Sequence, residues 1–352
     1  MLSVLCFLLA PVLSVDVASP TADKPQSKIW FAQGSWWAWL PVRGGSSVWR
    51  RSAEGEWARQ SALDADLAGW PGRADVLADA RADEDRACAV LVGERRLAFA
   101  CLQWRGDGYA LARPVVEIPV DGQLETATLA RDGRGGWWIA YGLGREMWVR
   151  RSADGWQRAE RVSATPAAED DLCAIVAVGE GVGVIWSDQA ADTVWFRWRK
   201  DGAAGWGLIE AIEQGGRNAD DHIRASLSAD GRLLVAMKNS VDRIGSPQLV
   251  LRERSRAGRW KSLPYAPRTA AGEPTRPVVL LGGQPERMFL LHSRYTKAGS
   301  EIVRWEGDRE ELLLPVKGLN DITGPKARFP AGQPWIVLAS DRDGNVYEAR
   351  LN

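Results

Sequence analysis

The chain places acids and bases at the openings of short apolar runs, and their spacing is regular. Arg73-Ala-Asp75-Val, Asp170-Asp171-Leu, Asp220-Asp221-His222-Ile and Thr275-Arg276-Pro-Val each set charge just before a strand-like stretch. With Glu125 and Lys326 the openings fall at 75, 125, 171, 221, 276 and 326, spaced by 50, 46, 50, 55 and 50 residues. Side chains at one phase of a repeat converge when the repeats surround an axis. Such a ring could bind a polar ligand by mixed hydrogen bonds, do acid/base work with two carboxylates, or hold a hard cation. The candidate ligand-binding residues are Arg73, Asp75, Asp170, Asp171, Gln189, Asp220, Asp221, His222, Lys238, Arg276 and Lys326.

The residue types narrow the chemistry. The two Asp-Asp pairs offer hard oxygens that suit calcium, the one cofactor the pattern allows. Two histidines, His222 and His292, cannot build a His-rich zinc site. His292 lies in an apolar run and reads as a packed sheet residue. There is no EF-hand loop, P-loop, G-x-S-x-G elbow or kinase signature. A sialidase would need a Phe-Arg-Ile-Pro motif and an arginine trio. The first is missing, and of Arg73, Arg224 and Arg276 only Arg73 and Arg276 share the strand-opening phase. No catalytic set is therefore assigned.

What must position the ring is a repeat of short strands near 50 residues long, the mark of a β-propeller. A second repeated phrase supports it. Trp49-Arg-Arg-Ser-Ala-Glu-Gly-Glu-Trp57, Trp148-Val-Arg-Arg-Ser-Ala-Asp-Gly-Trp156, Trp198-Arg-Lys-Asp-Gly-Ala-Ala-Gly-Trp206 and Arg252-Glu-Arg-Ser-Arg-Ala-Gly-Arg-Trp260 mark the same hairpin turn four times. Gly, Asp, Asn and Pro punctuate the gaps, and no stretch holds a helical period. The expectation is an all-β, seven-bladed propeller of about four antiparallel strands per blade, with six and eight blades as alternatives. The last unit, read from Ala327-Arg-Phe onward, lacks an outer strand. A segment before Ile29 could supply it, because an open ring would leave edges unpaired.

Lys plus Arg (45) equals Asp plus Glu (45), so no overall field favours nucleic acid or an acidic membrane. Residues 1–18 read as a signal peptide that lacks a basic start, 19–27 as a linker, and 28–352 as one propeller domain. No run is long enough to span a membrane. A secreted or periplasmic monomer is the expectation. Cys6 would leave with the leader. Around a Glu94-Arg95 turn, Cys88 and Cys101 face each other and could form a disulfide or stay reduced. Cys173 reads as a small buried hydrophobe. Trp is abundant, at 19 of 352 residues, and serves the half-buried strands with some surplus for a binding surface.

Ser152-Ala-Asp154-Gly155-Trp156 and Ser52-Ala-Glu54-Gly55-Glu-Trp57 are similar to the Asp-box turn of sialidase-like propellers, a folding element rather than a site. More broadly, 28–351 resembles a family of secreted bacterial β-propeller proteins with sialidase-like architecture. The phrases that carry this are Lys28-Ile-Trp-Phe with Trp36-Trp37, Arg73-Ala-Asp-Val, Asp170-Asp-Leu-Cys-Ala-Ile-Val-Ala and Gly183-Val-Ile-Trp-Ser-Asp-Gln189. Ala219-Asp-Asp-His-Ile, Val235-Ala-Met-Lys238, Thr275-Arg-Pro-Val and Val337-Leu-Ala-Ser-Asp341 complete them. The resemblance implies the fold and a channel-mouth site at Asp170, Asp171, Gln189, Asp220, Asp221, His222, Lys238 and Arg276. It implies no reaction, and the Cys-bearing second blade and short last blade depart from it. The expected function is binding of a polar ligand, most plainly a carbohydrate, at the channel mouth. The alternatives are a glycoside hydrolase using channel carboxylates and an extracellular protein-interaction platform.

Overall fold

The computed structural model describes residues 9–22, 24–79 and 85–351; Cys6 and the start of the expected leader lie outside them. Seven antiparallel sheets form the blades of a propeller, each numbered here in chain order by its inner strand. These inner strands are Ile29–Ala32, Arg73–Asp79, Ala127–Arg131, Cys173–Ala177, Ile223–Leu227, Glu273–Gly282 and Asp321–Thr323. Each of the first six blades continues outward through consecutive strands in meander order. In blade 2 the outer edge is broken into Tyr109–Leu111 and Val116–Pro119, both paired with Arg96–Trp104.

The near-continuous apolar runs of the middle strands follow from this stacking. A blade between two others is covered on both faces, so both alternating sets of side chains must be apolar. Gly181–Asp188 is buried along its whole length. The core is accordingly divided into interblade layers. One cluster joins blades 6, 7 and 1, and five more fill the remaining interfaces in order.

The repeated Trp phrase proves to be an interblade clasp. Arg51 bonds Glu348 through two nitrogens at 2.7 and 2.8 Å, and the Trp57 indole donates to the same carboxylate at 3.0 Å. Arg254 and Trp260 do the same to Glu210 of blade 4, and Arg199 reaches Glu160 of blade 3. Gly155, at φ 66°, permits the left-handed turn that returns Trp156 to the sheet.

Blade 7 corrects two boundaries. Its inner strand is Asp321–Thr323, not the Ala327-Arg-Phe segment expected from sequence. Its outer strand is Leu13–Ser14, paired with Val346 and Asn345. Val12 and Val15 add amide bonds of 2.8 and 3.0 Å to Val346 and Gly344, and Leu13 is buried in the core. Gly344 must be glycine, because a Cβ there would run into the Val15 carbonyl. The segment expected as the end of a leader therefore closes the ring. Cys88 and Cys101 are directly opposed and disulfide-bonded, and Cys173 is free and buried. No helix among the described residues is long and apolar enough to cross a membrane.

Candidate functional site

The stretch expected as a linker runs along the propeller axis instead. Thr21 Oγ1 donates to the Asp321 carbonyl at 2.9 Å, Gln26 Nε2 to the Ala127 carbonyl at 2.9 Å, and the Lys28 amide to Thr323 Oγ1 at 2.8 Å. Arg224, fully inside, donates to the Pro25 carbonyl at 2.8 Å and the Gly324 carbonyl at 3.0 Å. An extended segment has peptide groups that a buried channel must satisfy, and the polar side chains of the inner strands do so.

This threading changes the meaning of several ring residues. Asp75 has no exposure and stands within the channel, not at its mouth. Its oxygens accept the Ser27 amide at 2.7 Å and the Leu129 amide at 2.6 Å, and Lys326 pairs with it. Lys326 comes after the inner strand of blade 7, so it enters from the opposite end and also bonds the Leu129 carbonyl at 2.6 Å. Burial pushes the Lys326 ammonium below its ordinary range, against the opposing charge of Asp75. Blade 7 opens instead at Asn320-Asp321. Asn320-Asp321-Ile echoes Asp221-His222-Ile, a signal that was present in the sequence.

Blade 5 forms a second closed group. His222 Nδ1 lies 2.6 Å from an oxygen of Asp220 and 2.6 Å from one of Asp221. Lys238 pairs with Asp220 at 2.8 Å, and Lys24 of the threaded segment pairs with Asp221. Burial disfavours the charge on Asp221, yet the bond and charge of His222 and the charge of Lys24 hold it well below the ordinary carboxylate range. Asp220, Asp221 and His222 are also the only cluster among the described residues with metal-ligand proximity, their donor atoms all within 4.8 Å. Two ammonium groups already serve those carboxylates, so the set suits a cation poorly. Arg276 sits at φ 49° in a bulge between Thr275 and Val278, bonds Asp321 at 2.7 Å and meets the Tyr295 hydroxyl.

Of the remaining ring residues, Arg73, Glu125 and Asp170 line an open cleft. This cleft of 1340 Å³ lies off the axis on the strand-opening face, across blades 1 to 4. Its walls are the segments leading into inner strands, with Arg73, Glu125 and Asp170, and the hairpins at Val42, Gly93 and Gly144. Arg73 donates to the carbonyls of Glu125 (2.8 Å) and Val92 (3.4 Å). Asp170 is exposed and accepts Gln189 Nε2 at 3.1 Å. Asp171 beneath it is buried and receives the amides of Ala168 (2.7 Å) and Gln189 (2.9 Å), so it shapes the wall. Desolvation raises the Asp171 carboxyl despite these bonds. Desolvation likewise raises Glu125, with Asp221 and Asp170 adding to it and Lys24 and Arg73 opposing.

Trp70 was not singled out by sequence reasoning, yet it alone among the tryptophans lines this cleft, under the Arg96 guanidinium at 5.3 Å. Its only sequence signal is Trp70-Pro-Gly before Arg73. No tryptophan among the described residues is strongly exposed, so the Trp surplus serves mainly interblade packing. Trp30, Trp37 and Tyr109, for example, pack together between blades 1 and 2.

No family model matches the chain, and no curated protein matches it in sequence. The resemblance drawn above thus rests on the strand-opening phrases alone. Among solved structures, virginiamycin B lyase from Staphylococcus aureus gives a TM-score of 0.55 at 10% identity, over 97% of this chain and 98% of its own. BBS1N in complex with ARL6DN gives 0.53 at 10% identity, over 98% of each chain. A fucose-specific lectin from Aleuria aurantia gives 0.48 at 13% identity, over 89% of this chain and all of its own. At these identities the likeness shows the fold only.

Proposed function

We propose that the protein is an exported, monomeric propeller that binds a carbohydrate in the cleft over blades 1 to 4. One observation carries this reading: a 1340 Å³ open cleft combines a half-buried indole, Trp70, with the polar groups of Arg73, Glu125 and Asp170. A pyranose presents apolar C–H faces and a rim of hydroxyls, so it is held by aromatic stacking plus charged and neutral hydrogen-bond partners. The cleft carries more acids than bases, which disfavours nucleic acid. The Cys88–Cys101 disulfide supports an oxidising compartment. Leader removal after Ala18 would also remove Leu13–Ser14, the outer strand of blade 7.

Glycan-array screening followed by calorimetry tests the reading. Trp70→Ala should weaken binding at least about tenfold, the cost of a lost stacking platform. Unchanged affinity in that variant would move the site elsewhere. A second reading, glycoside cleavage, draws on Glu125, whose raised carboxyl beside Asp170 has the form of an acid paired with a carboxylate. Turnover of a bound oligosaccharide that Glu125→Gln abolishes would favour it.

A further inference from the structure

The charges of the cleft are unbalanced, and we propose that its preferred ligand is an oligomer of cationic amino sugar, with protonated free amines. This rests on the glycan reading above and narrows it. Five acids line the cleft, Glu94, Asp121, Glu125, Glu169 and Asp170, against two lining bases, Arg73 and Arg96, with Lys24 acting on Glu125 from the axis.

Both bases are engaged by the protein itself. Arg73 donates to the Glu125 and Val92 carbonyls. Arg96 bonds the Gly69 carbonyl, lies 3.7 Å from Glu117 outside the cleft and stacks on Trp70. Among the described residues none of the five acids makes an ion pair. The contrast with the axis is sharp: Asp75 meets Lys326, Asp220 meets Lys238, Asp221 meets Lys24 and Asp321 meets Arg276. Burial demands that pairing, because an isolated buried charge is expensive. In the cleft water screens the acids, and their unbalanced potential is available to a cationic ligand.

Trp70 makes the same selection by another route. The Arg96 guanidinium lies 5.3 Å from its ring, so the indole already sits in a cation–π contact, and its π-surface favours positive charge beside it. A neutral sugar would gain stacking and hydrogen bonds here. An amino sugar would gain those and the charge attraction, whereas a uronate would be repelled.

Calorimetry of the whole chain with three sugar tetramers of equal length, glucosamine, N-acetylglucosamine and glucose, and with tetralysine decides the matter. At low salt and mildly acidic pH, glucosamine tetramer should bind about tenfold tighter than either other. High salt should erase that preference. So should the exposed double variant Glu169→Gln/Asp170→Asn, while Trp70→Ala should weaken all three tetramers together. Equal or tighter binding of the N-acetylated or glucose tetramer would overturn the cationic preference and leave the glycan reading standing. Binding of tetralysine with none of the three sugars, or binding of none of the four, would overturn both.

Discussion

Asp75 lies just inside one inner strand and Asp170 just before another, and the fold gives them opposite surroundings. Around Asp75 lie two backbone amides and an ammonium, with no solvent exposure; around Asp170 lie one amide side chain and an open cleft. The same division runs through the molecule. The axis, threaded by residues 19–22 and 24–28, is a structural core in which Asp75, Asp220, Asp221 and Asp321 are each paired with a base. The cleft over blades 1 to 4 has acids that the protein leaves unanswered. A charged ring in a repeat protein can thus be part framework and part binding surface, and partner count separates the two.

The widest separation should come from matched substitutions. Asp75→Ala leaves Lys326 and two amides buried without their acceptor, and should cost about 3–5 kcal/mol. Asp170→Asn should stay within about 0.5 kcal/mol. Urea unfolding of both variants checks this, and equal costs would erase the distinction. Next in size is removal of residues 1–18. Loss of the buried Leu13 and the strand bonds to blade 7 should lower stability by about 2–4 kcal/mol, read as a drop in urea midpoint.

Smaller effects sharpen the boundary where axis meets cleft. Asp221 is held below its ordinary range, so its ionisation stabilises the fold fully above about pH 4. That contribution is lost as acid falls further, through the lower folded value. Asp221→Asn should therefore destabilise at pH 7 by about 1 kcal/mol, with the deficit shrinking below about pH 4 in thermal scans. Glu125 runs the other way. Its carboxyl is raised, so ionisation disfavours the fold as pH climbs, and Glu125→Gln should slightly raise the midpoint at pH 7. Below about pH 4 it should change nothing.

Much of the scaffold was legible because its causes are local. Strand openings and Gly turns recur from blade to blade, the Trp phrase marks four of the seven, and the Cys88–Cys101 register follows from one two-residue turn. Ring closure was foreseeable as a need, but its supplier, Leu13–Ser14, was hidden in a segment whose apolar run reads equally as a leader. The axial thread was not legible at all. Thr21, Lys24 and Gln26 look like linker residues, and their partners lie roughly 100 to 300 positions away in sequence. For the same reason Lys326 was placed at the wrong end of the channel: the period pointed near it, but the strand itself began at Asp321. Arg73 and Asp170, expected as candidates from the strand openings, line the cleft, whereas Trp70 carries no repeat signal. Its place depends on the loop between blades 1 and 2.

Hydrogen–deuterium exchange with and without glucosamine tetramer tests the central claim most directly. Protection should appear in 69–73, 121–125 and 169–170, with no change in 24–28 or 220–224. Protection centred on 24–28 and 220–224, with the cleft segments unchanged, would place the ligand on the axis and contradict this account.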